Sequence, residues 1–385
     1  MAIQRVLQVL QDTDATDQHL AALELHKGLA QAGCEVRTLA LGPGKIGQLA
    51  TSVPVISPSR RSVAAYTQLR TEQRWADALI LQGAHVADVA ALVPIPVPTA
   101  ISLWAEPAQW KDGKRPSWRL MRSARRGSQL IVNNSAAQAT LEQVLDARPA
   151  FSESARQRSS SQADGTDRSH RTHLIHTGVG AVERAASGLG SGSVTDAQLA
   201  ARRRAAKQAL GLDESALAIR VLAPVSERKS ATQTLQVADV EQAAASVGMS
   251  FIGTSARAGT SAQATDELLL AASDVVVVVS CEGGPSVELL RSMQAGAIAV
   301  TESSAAMAEL IEDHVTGLSF GPGMRTGAPA ADSLLASLTA ALSEIMSDLS
   351  LCPSLARAGA ERVEAEYALG RVQSSWLEVL HAALA

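Results

Sequence analysis

Short apolar runs alternate along the chain with longer stretches whose apolar residues recur every three or four positions. The runs predict buried strands, and the longer stretches predict helices with one apolar face. Because strands and helices alternate, the pattern predicts parallel sheets covered by helices. The strands predicted in the first half are Arg5–Leu10, Glu35–Leu41, Ala78–Leu81, Thr99–Leu103 and Leu130–Val132.

The same alternation continues in the second half of the chain, before a mostly helical end at Leu355–Ala385. The run Val275–Val279 is continuous and β-branched, which is typical of a strand buried on both faces. The strands predicted in this half are Ala218–Leu222, Met249–Ile252, Val275–Val279 and Ala297–Val300.

A glycine-bearing turn follows the valine run and leads into a helix. Ser286 is a predicted N-cap, Glu288 lies in the first helical turn, and Gly296 ends the helix. The order strand, turn, helix, strand aims backbone N–H groups at the carboxyl end of the sheet, where phosphate-bearing ligands bind. The residues of the turn are Glu282, Gly283, Gly284, Pro285 and Ser286.

Composition narrows the class of protein. The chain has 385 residues, enough for two domains, and 46% of them are hydrophobic. Aromatic residues make up 3%, so the core relies on Ala, Leu and Val. A net charge of -4 gives no reason to expect a nucleic-acid partner.

Cysteine usage and the N-terminal sequence predict a cytoplasmic protein. Cys34, Cys281 and Cys352 have no metal-ligand spacing and cannot all pair, which favours a reducing compartment. The opening MAIQRVLQVLQD has no charged segment followed by a long apolar core, so no signal peptide is predicted. The valine run is too short to cross a bilayer.

The stretch 151–171 differs in character, because it is rich in Ser and charge and nearly free of apolar residues. This composition predicts a flexible loop. An alternative is that its Arg and His residues contact an anionic partner.

The glycine-bearing turn and the segment after it resemble the donor site of family 4 glycosyltransferases. In those proteins a buried strand is typically followed by the sequence motif EGFGLPxLEAMAxGxPVV and then by the motif GGxxEVVxDGxTGLLF. Arg291 stands where the family has its second Glu, and Ala305 and Ala306 replace a glycine pair. The matching residues are Glu282, Gly283, Met293, Gly296, Glu309–Asp313 and Thr316–Leu318.

Other parts of the chain resemble the same family. From His19 onward the first helix is similar to the family's opening, without its glycine pair. Trp104 stands where the family motif LHGE has its His, and Glu106 matches the Glu. Lys229, with Arg228 beside it, matches the Lys of VGRLSPEKG.

The resemblance implies the GT-B fold, with two Rossmann-like parallel-sheet domains facing a cleft. Residues 1–180 would form the acceptor-side domain and residues 181–355 the donor-nucleotide-side domain. Residues 356–385 would form a C-terminal helix that packs back on the first domain.

The resemblance also implies a retaining transfer of a sugar from a nucleotide-sugar donor, without a further cofactor or metal. Glu282 and Glu106 would be catalytic, and His85 and Trp104 would lie on the acceptor side. The acceptor stays open between a glycan, a lipid-linked molecule and a small molecule, and with it a peripheral membrane association. The implied donor-binding residues are Arg228, Lys229, Gly283, Gly284, Pro285, Ser286 and Glu288.

Each of these residues also has a plainer interpretation. Lys229 is otherwise a solvated loop charge, Glu288 a favourable charge at a helix start, and His85 an ordinary loop histidine. Trp104 either stacks on a sugar ring or only forms part of the wall of the cleft. The departures from the motif favour one alternative function, a catalytically degenerate relative that serves as a binding or partner subunit. A sugar-nucleotide epimerase on the same fold is a third possibility, for which no residue of the sequence is distinguishing.

Overall fold

The structure, a computed structural model, describes part of the chain. The described residues are 3–12, 17–42, 63–92, 97–104, 107, 116–117, 120, 128–146, 172–180, 196–222, 235–254, 267–279, 284–321 and 334–383. The chain divides into two compact units. The first is Met1–Gly178, Glu282–Gly284 and Leu369–Ala385, and the second is Val179–Cys281 and Pro285–Ala368.

Strands and helices alternate in both units, as the hydrophobic pattern predicts. The strands are β1 (Arg5–Leu10), β2 (Glu35–Ala40), β3 (Ala78–Gln82), β4 (Thr99–Leu103), β5 (Gln129–Val132), β6 (Thr172–Leu174), β7 (Ala218–Leu222), β8 (Ser250–Thr254), β9 (Val275–Val278), β10 (Ile298–Glu302) and β11 (Leu318–Phe320). The helices are α1 (Asp17–Gln31), α2 (Val63–Glu72), α3 (Ala84–Ala90), α4 (Ser135–Asp146), α5 (Asp196–Ala209), α6 (Val237–Val247), α7 (Val287–Gln294), α8 (Leu334–Ser347), α9 (Leu351–Glu366) and α10 (Leu369–Ala382). Residues 267–272 are also helical.

The first unit contains a six-stranded parallel sheet in the order β2-β1-β3-β4-β5-β6. Side chains alternate between its two faces, because successive residues of a strand point in opposite directions. Leu7, Leu79 and Ile101 belong to a core cluster shared with α2, α3 and α4. Val6 and Ile80 belong to a second cluster, which α1 and α10 cover from the other face.

The last helix, α10, is held in the first unit by close packing against two glycines. A Cβ atom at Gly28 of α1 would lie 2.9 Å from Leu369 Cδ1, and one at Gly178 would lie 2.9 Å from Val372 Cβ. Trp376 of α10 is buried in the second cluster of the first unit, together with Val6 and Ile80. The chain therefore builds the first unit from residues that precede and follow the second.

The second unit contains a five-stranded parallel sheet in the order β11-β10-β9-β7-β8. Its central strand, β9, consists of four valines that are all buried, as predicted for a strand covered on both faces. Helices α6, α8 and α9 contribute to the core cluster that contains Val275 and Val277. Helix α7 packs against α9 and β10.

Most predicted elements are confirmed, with differences at their ends. Leu41 and Val279 are buried but lie just beyond β2 and β9. The helical end predicted from Leu355 consists of two helices, because α9 stops at Tyr367 and α10 begins at Leu369. The loop predicted at 151–171 lies outside the described residues.

In the described part of the chain, no single helix is both long and apolar enough to cross a membrane. Helices α8 and α9 pass that test only as a pair, and they are bent by 113° at their junction.

Candidate functional site

A stripe of polar side chains crosses the first sheet near the carboxyl ends of its strands. It consists of Thr38, Gln8, Gln82 and Ser102, which are all buried. Gln8 is the register partner of Thr38, and Gln82 is the register partner of Ser102. The stripe lies on the face that α1 covers, since the Gln8 amide donates to the Ala22 carbonyl of that helix over 2.8 Å.

Hydrogen bonds along the stripe fix which way its amides point. The Ala22 carbonyl can only accept, so Gln8 directs its amino group there and also toward Thr38 Oγ1, 3.3 Å away. The oxygen of Gln8 therefore faces Gln82, whose Nε2 donates to it over 3.3 Å. In consequence Oε1 of Gln82 is the amide end that this network does not use.

The network continues to the half-buried His26, whose Nδ1 lies 2.8 Å from Thr38 Oγ1. Burial lowers the pKa of His26, and the neighbouring charge of Lys27 lowers it further. A neutral imidazole therefore completes the outer end of the network. A separate buried pair, His19 and Asp12, lies where β1 leads into α1, with 3.5 Å between Nδ1 and Oδ1.

A second pair of amides follows β5. The backbone N–H of Ala137 donates to Oδ1 of Asn134 over 2.8 Å, which places the Asn134 amino group toward Asn133. That amino group donates to Oδ1 of Asn133 over 3.1 Å. The Asn133 carbonyl lies 3.2 Å from Nδ1 of His176, which follows β6.

A pocket lies at the carboxyl ends of strands β3 to β6, entirely within the first unit. The enclosed space is about 30 Å³, enough for a few water molecules, and part of the pocket is open to solvent. Helices α1 and α10 form one side and the ends of β3 to β6 the other, at the sheet edge where α/β proteins bind ligands. It is lined by Ala21, Ala22, Leu25, Gln82, Ser102, Trp104, Ile131, Val132, Asn133, Ile175, His176, Thr177, Gly178, Leu369, Val372 and Trp376.

Thr177 is the most unusual residue of the pocket. Its side chain is 4% exposed, and its hydroxyl has no hydrogen-bond partner among the described residues.

The structure places the two predicted acceptor-side residues, Trp104 and His85, differently, and it does not describe the predicted catalytic residue Glu106. Trp104 lies directly after β4, is largely buried and lines the pocket. His85 is in the first turn of α3, after Gly83 with its φ of 96°, and is not among the residues that line the pocket. Glu106 lies outside the described residues.

On the donor side, the structure describes the helical half of the predicted turn. Ser286 caps α7 with extended backbone, and its Oγ accepts from the Leu289 N–H over 3.1 Å. Glu288 lies in the first turn, and its carbonyl accepts from Ser292 Oγ over 2.8 Å. The predicted cap, first turn and helix end at Gly296, which has a φ of 82°, are confirmed.

Gly284 has a left-handed backbone, with a φ of 87°. It belongs to the first unit, where a Cβ atom at its position would lie 3.2 Å from Nδ2 of both Asn133 and Asn134. Pro285 follows it and is buried. The predicted residues Arg228, Lys229, Glu282 and Gly283 lie outside the described residues, and so does Cys281.

The segment that matches the second of the two family motifs, GGxxEVVxDGxTGLLF, contains a tight turn in the second unit. Thr316 Oγ1 accepts from the Glu312 N–H and donates to the Leu310 carbonyl, both over 2.9 Å. A Cβ atom at Gly317 would lie 2.6 Å from the Ala299 carbonyl oxygen. Hydrogen bonding and close backbone packing therefore explain the matching Thr and Gly.

A charged cluster lies at the opposite, amino-terminal edge of the second sheet. Lys207 Nζ is 2.6 Å from Asp274 Oδ2, and Asp274 also accepts from the Ala218 N–H over 2.8 Å. Arg203 donates to the Gly296 carbonyl over 2.9 Å. These bonds tie α5 to the starts of β7, β9 and β10, which indicates a structural role. Among the described residues, no group of three or more His, Cys, Asp or Glu side chains could hold a metal ion.

No protein-family model matches the chain. No curated protein sequence matches it either. Solved structures do match over nearly the full length of both partners. HepE of Anabaena, solved with UDP and glucose, covers 98% of this chain and 100% of its own, with 14% identity and a TM-score of 0.64.

Two further structures agree with that match. A glycosyltransferase of Rickettsia africae has 12% identity and a TM-score of 0.62 over 99% of this chain and 98% of its own. Sucrose-phosphate synthase of Thermosynechococcus elongatus has 13% identity and a TM-score of 0.59 over 99% of each chain.

The chain has the GT-B fold. At these identities the likeness establishes the fold alone, so membership of family 4 stays a prediction. Within the GT-B fold, the sequence pattern missed the polar stripe and Thr177. A signal was present, because Gln8, Thr38, Gln82 and Ser102 interrupt otherwise apolar positions in four successive strands.

Proposed function

We propose that the chain is a glycosyltransferase that transfers a sugar from a nucleotide-sugar donor. The observation that carries this proposal is the GT-B fold over nearly the whole chain, shared with structures solved with UDP-glucose and with UDP. The buried valine strand followed by Gly284 and the Ser286 cap supports it, because this geometry suits phosphate binding.

In this proposal Lys229 and Arg228 hold the donor diphosphate by charge-assisted hydrogen bonds, and the turn from Gly283 to Ser286 adds backbone donors. Glu282 binds hydroxyl groups of the donor sugar. Glu106 acts on the acceptor side and is the second residue proposed to act in catalysis. The transfer is retaining, and no metal or further cofactor takes part.

Calorimetric titration with UDP-, GDP- and ADP-sugars tests donor binding. One of these donors should bind, and Lys229→Ala should lower its affinity about 10- to 100-fold, the loss expected for one charge-assisted hydrogen bond. Arg74→Ala is the matched control, because it removes one exposed positive charge in the first unit. Absence of binding with all three donor classes would refute the proposal.

Glu282→Ala tests the proposed catalytic role. It should abolish transfer, together with any slow hydrolysis of the donor, and it should lower the donor affinity about tenfold because the hydrogen bonds from the sugar hydroxyls to the carboxylate are lost. Glu364→Ala, an exposed change of the same type, should leave both unchanged. The anomeric configuration of the product, read by proton NMR, tests retention. Donor binding without any turnover would instead identify a degenerate binding subunit.

A further inference from the structure

The polar stripe of the first sheet ends at a histidine whose protonation is determined by its neighbours. In the described part of the chain, the Thr38 hydroxyl contacts the Gln8 amide at 3.3 Å and Nδ1 of His26 at 2.8 Å. Gln8 presents its amino group to Thr38, because the same group also donates to the Ala22 carbonyl, which can only accept. Thr38 therefore accepts from Gln8 and donates its own hydrogen to Nδ1 of His26.

This arrangement suits only the neutral form of His26. Nδ1 has to be unprotonated in order to accept, so the ring carries its single hydrogen on Nε2. A second hydrogen, on Nδ1, would point at the Thr38 oxygen, and the Thr38 hydrogen would lose its acceptor. Thr38 is 6% exposed, so water does not readily replace that acceptor. The contact between α1 and β2 therefore breaks when His26 is protonated.

The surroundings of His26 on its own helix act in the same direction. Burial lowers the pKa of His26, and the positive charge of Lys27 lowers it further. Lys27 is itself paired with Glu24 over 2.8 Å. His19, two turns earlier on the same face of α1, has its own partner in Asp12.

The neighbouring elements bring no carboxylate to this side of α1. Side chains alternate along a strand, so the charged residues of β1 and β2 lie on the sheet face opposite α1. Those residues are Arg5, Glu35 and Arg37. Helix α10 meets α1 at Gly28, which is about 200° further round the helix from His26.

The contact lies at the edge of the sheet, and the stripe connects it to the interior. Strand β2, which carries Thr38, is the outermost strand on its side of the described sheet. Gln8, the register partner of Thr38, accepts from Gln82, and Gln82 lines the pocket. Loss of the contact at His26 therefore affects a network that extends from the outer strand to the pocket wall.

We propose that His26 is an acid-sensitive latch, which holds α1 on β2 through Thr38 when it is neutral and releases this contact when it is protonated. Release loosens α1 on the first sheet. The inference goes beyond the proposed function, because it concerns the first unit alone and requires neither a donor nor an acceptor.

The direction of the pH dependence follows from the lowered pKa. Because the pKa of His26 lies below its ordinary value of 6.5 in the folded chain, the unfolded chain binds the proton first. The latch therefore stabilises the first unit at neutral pH, and this stabilisation is lost as the pH falls below 6.5.

His26→Asn tests the latch, because the Asn side-chain oxygen can accept from Thr38 and does not titrate. Hydrogen exchange of the α1 backbone is measured by mass spectrometry on both full chains at the same pH, so that the intrinsic effect of pH cancels. The ratio of the parent's exchange rate to the variant's should rise at least about fivefold between about pH 7.5 and about pH 5, as expected for one lost hydrogen bond. A ratio that does not change with pH would overturn the proposal.

Thr38→Val tests the same contact from the strand. Valine has no hydroxyl hydrogen that needs the ring nitrogen, so protonation of His26 becomes easier. The pKa of His26 from an NMR titration, with the signal assigned by its absence in His26→Asn, should rise by at least about 0.5, an approximately threefold change in proton affinity. An unchanged or lower pKa would contradict the role given to Thr38.

His176→Asn is the matched control. His176 is partly buried like His26, but its Nδ1 lies 3.2 Å from the Asn133 carbonyl, which can only accept. That nitrogen carries a hydrogen in both forms of the ring, so protonation leaves the contact intact. His176→Asn should therefore retain the parent's pH response in α1. If it removes the response as His26→Asn does, the response does not arise at the latch and the proposal fails.

Discussion

The first sheet carries amides on its inner strands β1 and β3, whereas the central strand of the second sheet carries only valines. Gln8 is fully buried and is satisfied by a hydrogen-bonded network that ends at the pocket. Val275 and Val277 are buried in an apolar core cluster and need no such network. Two sheets of the same architecture are therefore stabilised in different ways.

The two units also differ in where they leave empty space between side chains. The first unit leaves a polar pocket at the carboxyl edge of its sheet, and the Thr177 hydroxyl beside it has no partner among the described residues. The second unit packs backbone against backbone at Gly317, without space for a methyl group. The polar stripe of the first sheet therefore lies beside a pocket, whereas the turn at Gly317 is densely packed.

The largest effect is expected from Gly317→Ala, which tests that dense packing. A Cβ atom there would lie 2.6 Å from the Ala299 oxygen, so the turn or β10 must move. The free energy of unfolding should fall by about 3 kcal/mol, as measured by denaturant unfolding. Gly370→Ala is the control, because a Cβ atom there meets nothing within 4 Å. Similar losses in the two variants would contradict the packing argument.

The next largest effects are expected from two substitutions, one in each sheet, that allow the sheets to be compared directly. Val277→Thr places a hydroxyl in the apolar core of the second unit and should cost about 2 kcal/mol. Gln8→Leu removes the centre of the stripe and should cost a similar 1–3 kcal/mol, because Gln82 loses its partner. If Gln8→Leu stabilised the protein, the proposed difference between the two sheets would be wrong, because the network would then not be required for stability.

A smaller effect is expected from Ser286→Ala, which removes the cap of α7. The loss should be about 1 kcal/mol, because the Leu289 N–H is left without its acceptor. Ser286→Asp should retain most of the stability. Ser354→Ala, an exposed change within α9, serves as control and should be neutral. An equal loss at both serines would show that capping is not the cause.

The smallest effect concerns His314, the only described residue other than glycine with a positive φ, at 63°. His314 contacts Glu344 over 2.6 Å and Asp313 over 2.9 Å, and both contacts are partly exposed. His314→Gly and His314→Ala lose these contacts equally, but only glycine relieves the left-handed strain. The glycine variant should therefore be more stable than the alanine variant by about 1 kcal/mol in thermal unfolding.

The sequence predicted the fold well because the relevant signals are local. The valine run, the Ser286 cap and the helix end at Gly296 each depend on a few neighbouring residues, and the structure confirms them. Thr316 and Gly317, which match the family motif, lie in a tight turn whose hydrogen bonds and close packing explain both residues.

The candidate site was less predictable because it is assembled from distant parts of the chain. Thr38, Gln8 and Gln82 become one stripe only when the strand order and register are known. Nothing in the local sequence of Thr177 shows that its hydroxyl is buried without a partner among the described residues. Trp104 was found because the family motif marks that position.

The position of α10 has a consequence for how the protein is made. This helix covers β3 and β4 through Trp376 and Val372, yet the chain builds the whole second unit before reaching it. A nascent chain that has emerged only as far as Ala368 therefore leaves an apolar side of the first sheet uncovered. Synthesis proceeds at about 5–20 residues per second, so this surface stays accessible to chaperones for many seconds before the first unit can close.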